Sequence, residues 1–195
     1  MSDPLTPQDH AATELNPEER EGLIPSYITK RAELNEAEQG NILEAREWAL
    51  GKKRDVLKEA FLKNLHKRMY GKVWTWAGEY RATGKNIGID AYLIPTDIRN
   101  LLDDVRYWID QKTYPADEIG ARFHHRLTFI HCYANGNGRH ARMATDLLLV
   151  SIGDKPFTWG NVNLVDPGEA RKTYIAALHA ADKHDIAPLV AFVRT

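Results

Sequence analysis

A glycine-broken turn between two long helical repeats is the strongest constraint on how this chain folds. Before the turn, Ile119, Phe123, Leu127 and Ile130 form an apolar stripe that predicts a helix over 116–131. After it, R-H-A-R-M-A-T-D-L-L-L-V-S-I reads as a buried helix, with Met143, Leu147 and Val150 at i, i+4 and i+7. Between them Gly136 and Gly138 permit positive φ and a close approach of backbone to a ligand. Elsewhere the same period dominates. N-E-A-E at 35–38 predicts a capping box, with Asn35 as cap and Glu38 as its partner, leading into Ile42, Ala45, Trp48 and Ala49 and stopping near Gly51. Val56–Tyr70 carries Val56, Ala60, Leu62, Leu65 and Met69 at helical spacing. Further helices are expected at about 96–110, at 167–183 with Pro167 in the first turn, and at 186–194. Residues 71–95 break the pattern, with four glycines and a β-like stretch around Asn86–Ile94, and read as a loop followed by a hairpin. The sum is an all-α domain with one small hairpin. Residues 1–25, rich in Pro, Asp, Glu and Thr, read as an extended or poorly ordered arm.

Composition excludes several function classes. The 26 Lys and Arg nearly cancel 27 Asp and Glu, so the net charge of −1 gives no reason to expect non-specific binding to nucleic acid or membrane surfaces. Any attraction for phosphate must be local. The single cysteine, Cys132, allows neither an intrachain disulfide nor a four-cysteine zinc site. M-S-D-P-L-T-P-Q-D-H lacks the basic and apolar regions of a secretory signal, and apolar runs such as Leu147–Val150 are far too short to span a membrane, so a cytoplasmic location is expected.

The chemistry concentrates in H-C-Y-A-N-G-N-G-R-H-A-R, residues 131–142. Amides of about residues 136–139 would open the second helix as unpaired donors, where the helix dipole favours anions. Arg139 and Arg142 share a helix face, and two guanidinium forks beside a row of N–H groups suit a polyphosphate better than a single carboxylate. His131 ends the preceding helix, and a neutral imidazole, with its ordinary pKa of roughly 6.5, can accept a hydroxyl proton. A base, an anion cradle and positive charge in one loop would serve in-line transfer to an alcohol.

These residues resemble the signature of the Fic/Doc (Fido) superfamily. His131, Gly136, Asn137, Gly138, Arg139 and Arg142 match, while Tyr133 stands where Phe is usual. W-T-W-A-G-E-Y-R followed by K-N-I-G-I is similar to the family's approach to its target-docking flap, and the likeness covers roughly 60–190. The run from I-T-K-R-A-E-L-N-E-A-E-Q through F-T-W-G is similar to the group called mobile mystery protein B, which resembles the toxin half of a pair with a helix-turn-helix protein.

The resemblance implies a Fido-type helical bundle with one small β-hairpin flap: an arm over 1–25, a helical extension over 26–59 and the Fido domain over 60–195. It implies AMP transfer from ATP to a Ser, Thr or Tyr hydroxyl of a protein. His131 would deprotonate that hydroxyl, and Asn137 with the Gly136 and Gly138 amides would hold the α-phosphate. Arg139 and Arg142 would hold the outer phosphates, and Arg171 and Tyr174 would lie near the adenosine. Lys85, Asn86, Ile87, Gly88 and Ile89 would pair with the target as an added strand. Asn135 stands where most members carry an acidic ligand for Mg²⁺, so the metal would be held mainly by ATP. T-K-R-A-E-L-N at 29–35 is similar to the family's inhibitory helix pattern: Thr29 and Glu33 fit, Leu34 departs from it, and Glu33 would pair with Arg142.

Duller readings accompany each signal. His124 and His125 lack the H-E-x-x-H spacing of a metal site, and His124 reads as a hydrogen-bonded structural residue. His140 reads as helix surface, Cys132 as core, and Trp74 and Trp76 as anchors for the hairpin. Phosphoryl or other nucleotidyl transfer in the same cradle, or a weakly active or non-catalytic regulator, remain as alternative functions.

Overall fold

The structure, a computed structural model, describes residues 13–161, 164 and 168–195. Its helices are α1 (Pro17–Glu21), α2 (Arg31–Leu50), α3 (Glu59–Tyr70), α4 (Ile94–Asp110), α5 (Ala116–Ile130), α6 (Asn137–Ser151), α7 (Glu169–Asp182) and α8 (Ala187–Val193). Helices adjacent in sequence pack together, α2 on α3, α4 on α5, α5 on α6 and α7 on α8, while α3 and α2 also reach α6. The stripe on α5 explains its central place. Ile119, Phe123, Leu127 and Ile130 enter one buried cluster with α3 and α4, whereas Ala121 on the other face joins a second cluster with Tyr174, Ala177, Leu189 and Phe192. Each fully buried Phe or Leu of this kind contributes about 1.5–3 kcal/mol relative to exposure. On α6, Leu147 is buried, but Val150 emerges 44% exposed rather than completing the buried stripe.

Three local expectations need correction. First, α2 starts at Arg31, four residues before Asn35, because the Glu33 carboxylate caps its N-terminus: Thr29 N–H and Lys30 N–H donate to it at 2.8 and 3.0 Å. Second, α3 starts at Glu59, because the Asp55 carboxylate accepts from Leu57 N–H at 3.1 Å and turns the chain there, although Val56 and Leu57 are still buried. Third, the stretch 84–90 is a series of bends and no hairpin; among the described residues the strand-like pairing is limited to one isolated bridge, Leu23 with Trp74. The carbonyls of Thr83 and Ile89 are taken by the guanidinium of Arg81, so they cannot serve a ladder. A 3₁₀ turn, Ala91–Leu93, then leads into α4, with Pro95 in its first turn. Pro167 lies outside the described residues.

Residues 13–25 are docked rather than loose. Leu15 is buried in the main cluster, Asn16 and Glu19 form a reciprocal capping box on α1, and Ile24 N–H donates to Val73 O. Among the described residues no helix is long and apolar enough to cross a membrane.

Candidate active site

The end of α5 is where the site begins. His131 caps that helix in the left-handed conformation, φ 55 and ψ 63, which an L-residue adopts only when its surroundings enforce it. Those surroundings are Arg81 and Gly88. Arg81 is buried; its Nε donates to His131 O at 2.6 Å, its backbone N–H donates to Cys132 O, and its guanidinium binds Ile89 O and Ile130 O. One side chain thus ties the segment 83–89 to both sides of the turn at His131. Gly88, at φ +101, lies so close that a Cβ there would stand 2.5 Å from His131 Cβ.

Both ring nitrogens of His131 have partners. His131 Nδ1 faces Thr128 O at 3.4 Å, which assigns the ring proton to Nδ1 and leaves Nε2 as acceptor. Nε2 receives the hydroxyl of Thr13 at 2.6 Å. Burial, with the nearby charges of Arg81 and Lys85, pushes the imidazole down to about 4 against the pull of the Thr128 carbonyl, so it is neutral at physiological pH.

The turn after His131 is clamped from within. Asn137 accepts from Tyr133 N–H at 2.9 Å and donates to Tyr133 O at 2.8 Å, so its side chain closes the loop instead of facing a phosphate; this corrects the expected role. Asn135 Oδ1 likewise accepts from Gly136 N–H at 2.6 Å, and its main-chain carbonyl accepts from His66 Nε2 at 3.1 Å. Gly136 has φ 79 and sits against the Tyr70 ring, where a Cβ would come within 2.5 Å. No side chain caps α6, so the first-turn amides, those of Gly138 and its neighbours, have no intrahelical acceptor and point the positive end of the dipole outward.

Arg139 and Arg142 flank that end. Arg139 lies 5.2 Å from the Tyr70 ring centroid, and its Nη1 is 2.6 Å from the carboxylate of Glu38. Glu38 also accepts from Trp74 Nε1 at 2.8 Å and is only 2% exposed. Burial opposes the charge on Arg139, but Tyr70 and Glu38 together hold the guanidinium protonated. Arg142 sits 5.9 Å from the ring of Tyr174, whose hydroxyl bonds His124 Nε2 at 2.7 Å. Arg171, on the same helix as Tyr174, donates to Leu164 O at 2.7 Å. Arg142 and Tyr174 thus meet beside His124 in the middle of α5, while His131 and the loop 135–139 close that helix's C-terminal end.

The inhibitory pairing expected of Glu33 is not made. Glu33 stays at the surface as the cap of α2, with its carboxyl held below the usual range by the Thr29 and Lys30 amides. Glu38, one and a half turns on, is the acid that α2 delivers to the cradle, and it meets Arg139 rather than Arg142. His140 is likewise corrected from surface to core: it is 2% exposed, bonds Leu62 O at 3.0 Å and packs edge-on to Tyr133. His124 is buried and hydrogen-bonded, as expected of a structural residue. Cys132 is 3% exposed with its thiol pushed up to about 12 by burial, so it is no nucleophile.

Residues without a functional reading in the sequence also shape the site. His66 Nδ1 accepts from Gly78 N–H while its ring stacks on Tyr133 at 3.6 Å, and Tyr70 O–H donates to Gly136 O at 3.3 Å. A histidine and a tyrosine four apart on the apolar face of α3 were the available signal, since buried polar tips need partners. Arg81 and Glu38 had none beyond their type. The described residues contain no cluster of three or more His, Cys, Asp or Glu that could hold a metal, and Asn135 Oδ1 is already an acceptor. This donor set does not fit a protein-held Mg²⁺.

The Lys85–Ile89 segment lies beside the imidazole, but its lysine is occupied. Lys85 Nζ donates to Glu14 O at 2.7 Å and pairs with Glu19, and Ile87 and Ile89 are half-buried.

Comparison with known proteins agrees with this geometry. A model described as the Fic/DOC family matches residues 56–149. The protein adenylyltransferase fic-1 of Caenorhabditis elegans is 30% identical over 148 residues, 74% of this chain and 28% of that protein. The chain thus spans little more than a quarter of the curated relatives it matches. Among solved structures, the N-terminal Fic domain of a cell filamentation protein from Bartonella quintana superposes with a TM-score of 0.70 at 16% identity, covering 90% of this chain and 91% of that one. BepC of Bartonella tribocorum with bound AMPPNP gives 0.68 at 17% identity, covering 92% and 97%. Motif and family model agree that residues 56–149 match the Fic/DOC family, and the solved structures share the fold.

Proposed function

We propose that this chain is a protein adenylyltransferase, moving AMP from ATP to a Ser, Thr or Tyr hydroxyl of a protein. The observation that carries the reading is the imidazole of His131, neutral, protonated on Nδ1, and 2.6 Å from an alcohol hydroxyl, at the mouth of an uncapped helix N-terminus. In the reaction the acceptor O–H gives its proton to His131 Nε2 as its oxygen bonds the α-phosphorus. The α–β bridging P–O bond breaks and pyrophosphate leaves. The Gly138 amide is the free first-turn donor for the α-phosphate, the Gly136 amide would have to leave Asn135 Oδ1 to join it, and the Asn137 side chain holds the loop in shape. Arg139 and Arg142 take the outer phosphates, and Arg171 and Tyr174 border the adenosine. Mg²⁺ is expected to arrive on the phosphates of ATP, since no acidic cluster among the described residues would hold it.

Glu38 restrains the site in this reading, because its carboxylate occupies the guanidinium that a phosphate would use. ATP must displace a buried ion pair, and breaking such a pair one-sidedly costs about 3–5 kcal/mol. The names of the curated relatives and the AMPPNP held by BepC are in keeping with an ATP-using transfer. The likeness to mobile mystery protein B extends the reading to a toxin-like, cytoplasmic protein paired with a helix-turn-helix protein.

The test compares α- and γ-labelled ATP with Glu38→Gly protein added to a cell lysate, and His131→Ala as control. Adenylyl transfer leaves only the α label on protein. Retention of the γ label would establish phosphoryl transfer instead, and no label from either would establish a non-catalytic protein.

A further inference from the structure

The acceptor position beside His131 is filled by the chain's own Thr13. Its Oγ1 is 2.6 Å from Nε2, on the nitrogen left free by the Thr128 contact. This is no isolated approach, because the segment around Thr13 is built into the site. Asn135 Nδ2 donates to Thr13 O at 3.5 Å, which ties the acceptor residue to the phosphate loop. Lys85 of the flap donates to Glu14 O, Leu15 is 6% exposed in the main core, and Asn16 Nδ2 reaches Thr83 Oγ1 at 3.4 Å. Lys85 then pairs with Glu19, and its side chain is only 4% exposed. Residues 13–16 have no regular secondary structure, Asn16 is extended, and α1 follows at once. The segment 83–85 therefore grips a non-helical stretch of this same chain, with a threonine hydroxyl at the imidazole.

We infer that Thr13 is a substrate of its own active site, adenylylated in cis on Oγ1. The inference rests on the transferase reading above and names one acceptor for it. Thr13 Oγ1–H passes its proton to His131 Nε2 while the oxygen attacks the α-phosphorus of ATP. The Thr13 O–P bond forms, the α–β bridge breaks, and pyrophosphate departs, leaving a threonyl phosphodiester of AMP. Tethering makes the acceptor unimolecular, and effective molarities for well-oriented groups reach roughly 10⁵–10⁸ M. Thr13 therefore outcompetes hydroxyls in solution until it is consumed.

The experiment uses Glu38→Gly protein of residues 1–195 with ATP, followed by intact mass and peptide mapping. One adenylyl group is expected, on the peptide containing Thr13, with a first-order rate that does not change on hundredfold dilution. Thr13→Ser should keep the label on that peptide and Thr13→Val should abolish it there. In a mixture with size-tagged His131→Ala protein, the inactive chain should stay unlabelled. If label falls on other residues or on lysate proteins while Thr13 stays bare, this inference is overturned and the transferase reading stands. Label on Thr13 of the inactive chain would overturn modification in cis. If neither the protein nor the lysate gains label, the transferase reading fails and takes this inference with it.

Discussion

At the scale of single residues, the site is governed by how little room surrounds His131. Gly88 approaches it at a backbone angle that favours glycine, and a Cβ would overlap the histidine's own. Gly88→Ala should therefore displace the imidazole or the flap by a fraction of an ångström. A shift of that order costs roughly 10²-fold in rate. Labelled-ATP transfer, alongside circular dichroism to confirm the fold, measures this; unchanged transfer would mean that the contact is not restraining. Asn137 makes a different contribution. Its amide is spent on both main-chain groups of Tyr133, so Asn137→Ala strands a buried donor and acceptor and should cost about 2–4 kcal/mol in urea unfolding. Asn137→Asp should fare no better, because a carboxylate accepts from Tyr133 N–H but cannot donate to Tyr133 O.

At the scale of elements, α2 carries two acids with opposite duties. Glu33 ends the helix at the surface by capping amides; Glu38 lies inward, held between Trp74 and Arg139. Glu33→Ala should fray the first turn of α2 and leave transfer unchanged, while Glu38→Gly should raise transfer and let ATP increase the melting temperature. Parallel thermal shift and labelling assays on the two variants check both halves, and equal behaviour would refute the division of labour. Because the amides hold the Glu33 carboxyl below its usual range, its capping is present above the ordinary carboxylate pKa and is lost as pH falls through the lowered one. The flap is the other instructive element. Its β-like residues make no ladder because Arg81 takes the carbonyls that a partner strand would need.

At the scale of the whole molecule, burial of histidine sets the response to acid. His124 is pushed down to about 3, His131 and His140 to about 4, and His66 well below its ordinary value, in each case mainly by burial. In the unfolded chain these rings titrate near pH 6.5. Below that pH the unfolded state binds protons that the folded state refuses, so stability present above pH 6.5 should be lost as pH falls toward 4. The loss is on the order of 1–3 kcal/mol each for His124, His131 and His140, and His66 acts in the same direction. Urea unfolding at pH 7, 6, 5 and 4 measures it, and a flat midpoint across that window would contradict the buried neutral rings.

Much of this architecture could be read from pattern alone. The 3.6-residue stripe of α5, the glycines at 136 and 138, and the two arginines one turn apart are local features, and local features survive translation into structure because backbone sterics and helix geometry depend only on near neighbours. They were enough to place the helical class and the glycine turn between α5 and α6, with His131 before it and the two arginines after it. Tertiary structure alone decided that Glu38 rather than Glu33 faces Arg139, that His140 is core, that the flap stays unladdered, and that Thr13 meets His131 from 118 positions away. Such contacts join residues whose separation along the chain carries no periodicity. What selects them is the need of each buried charge and polar atom for a partner, and that is satisfied only once the helices have packed.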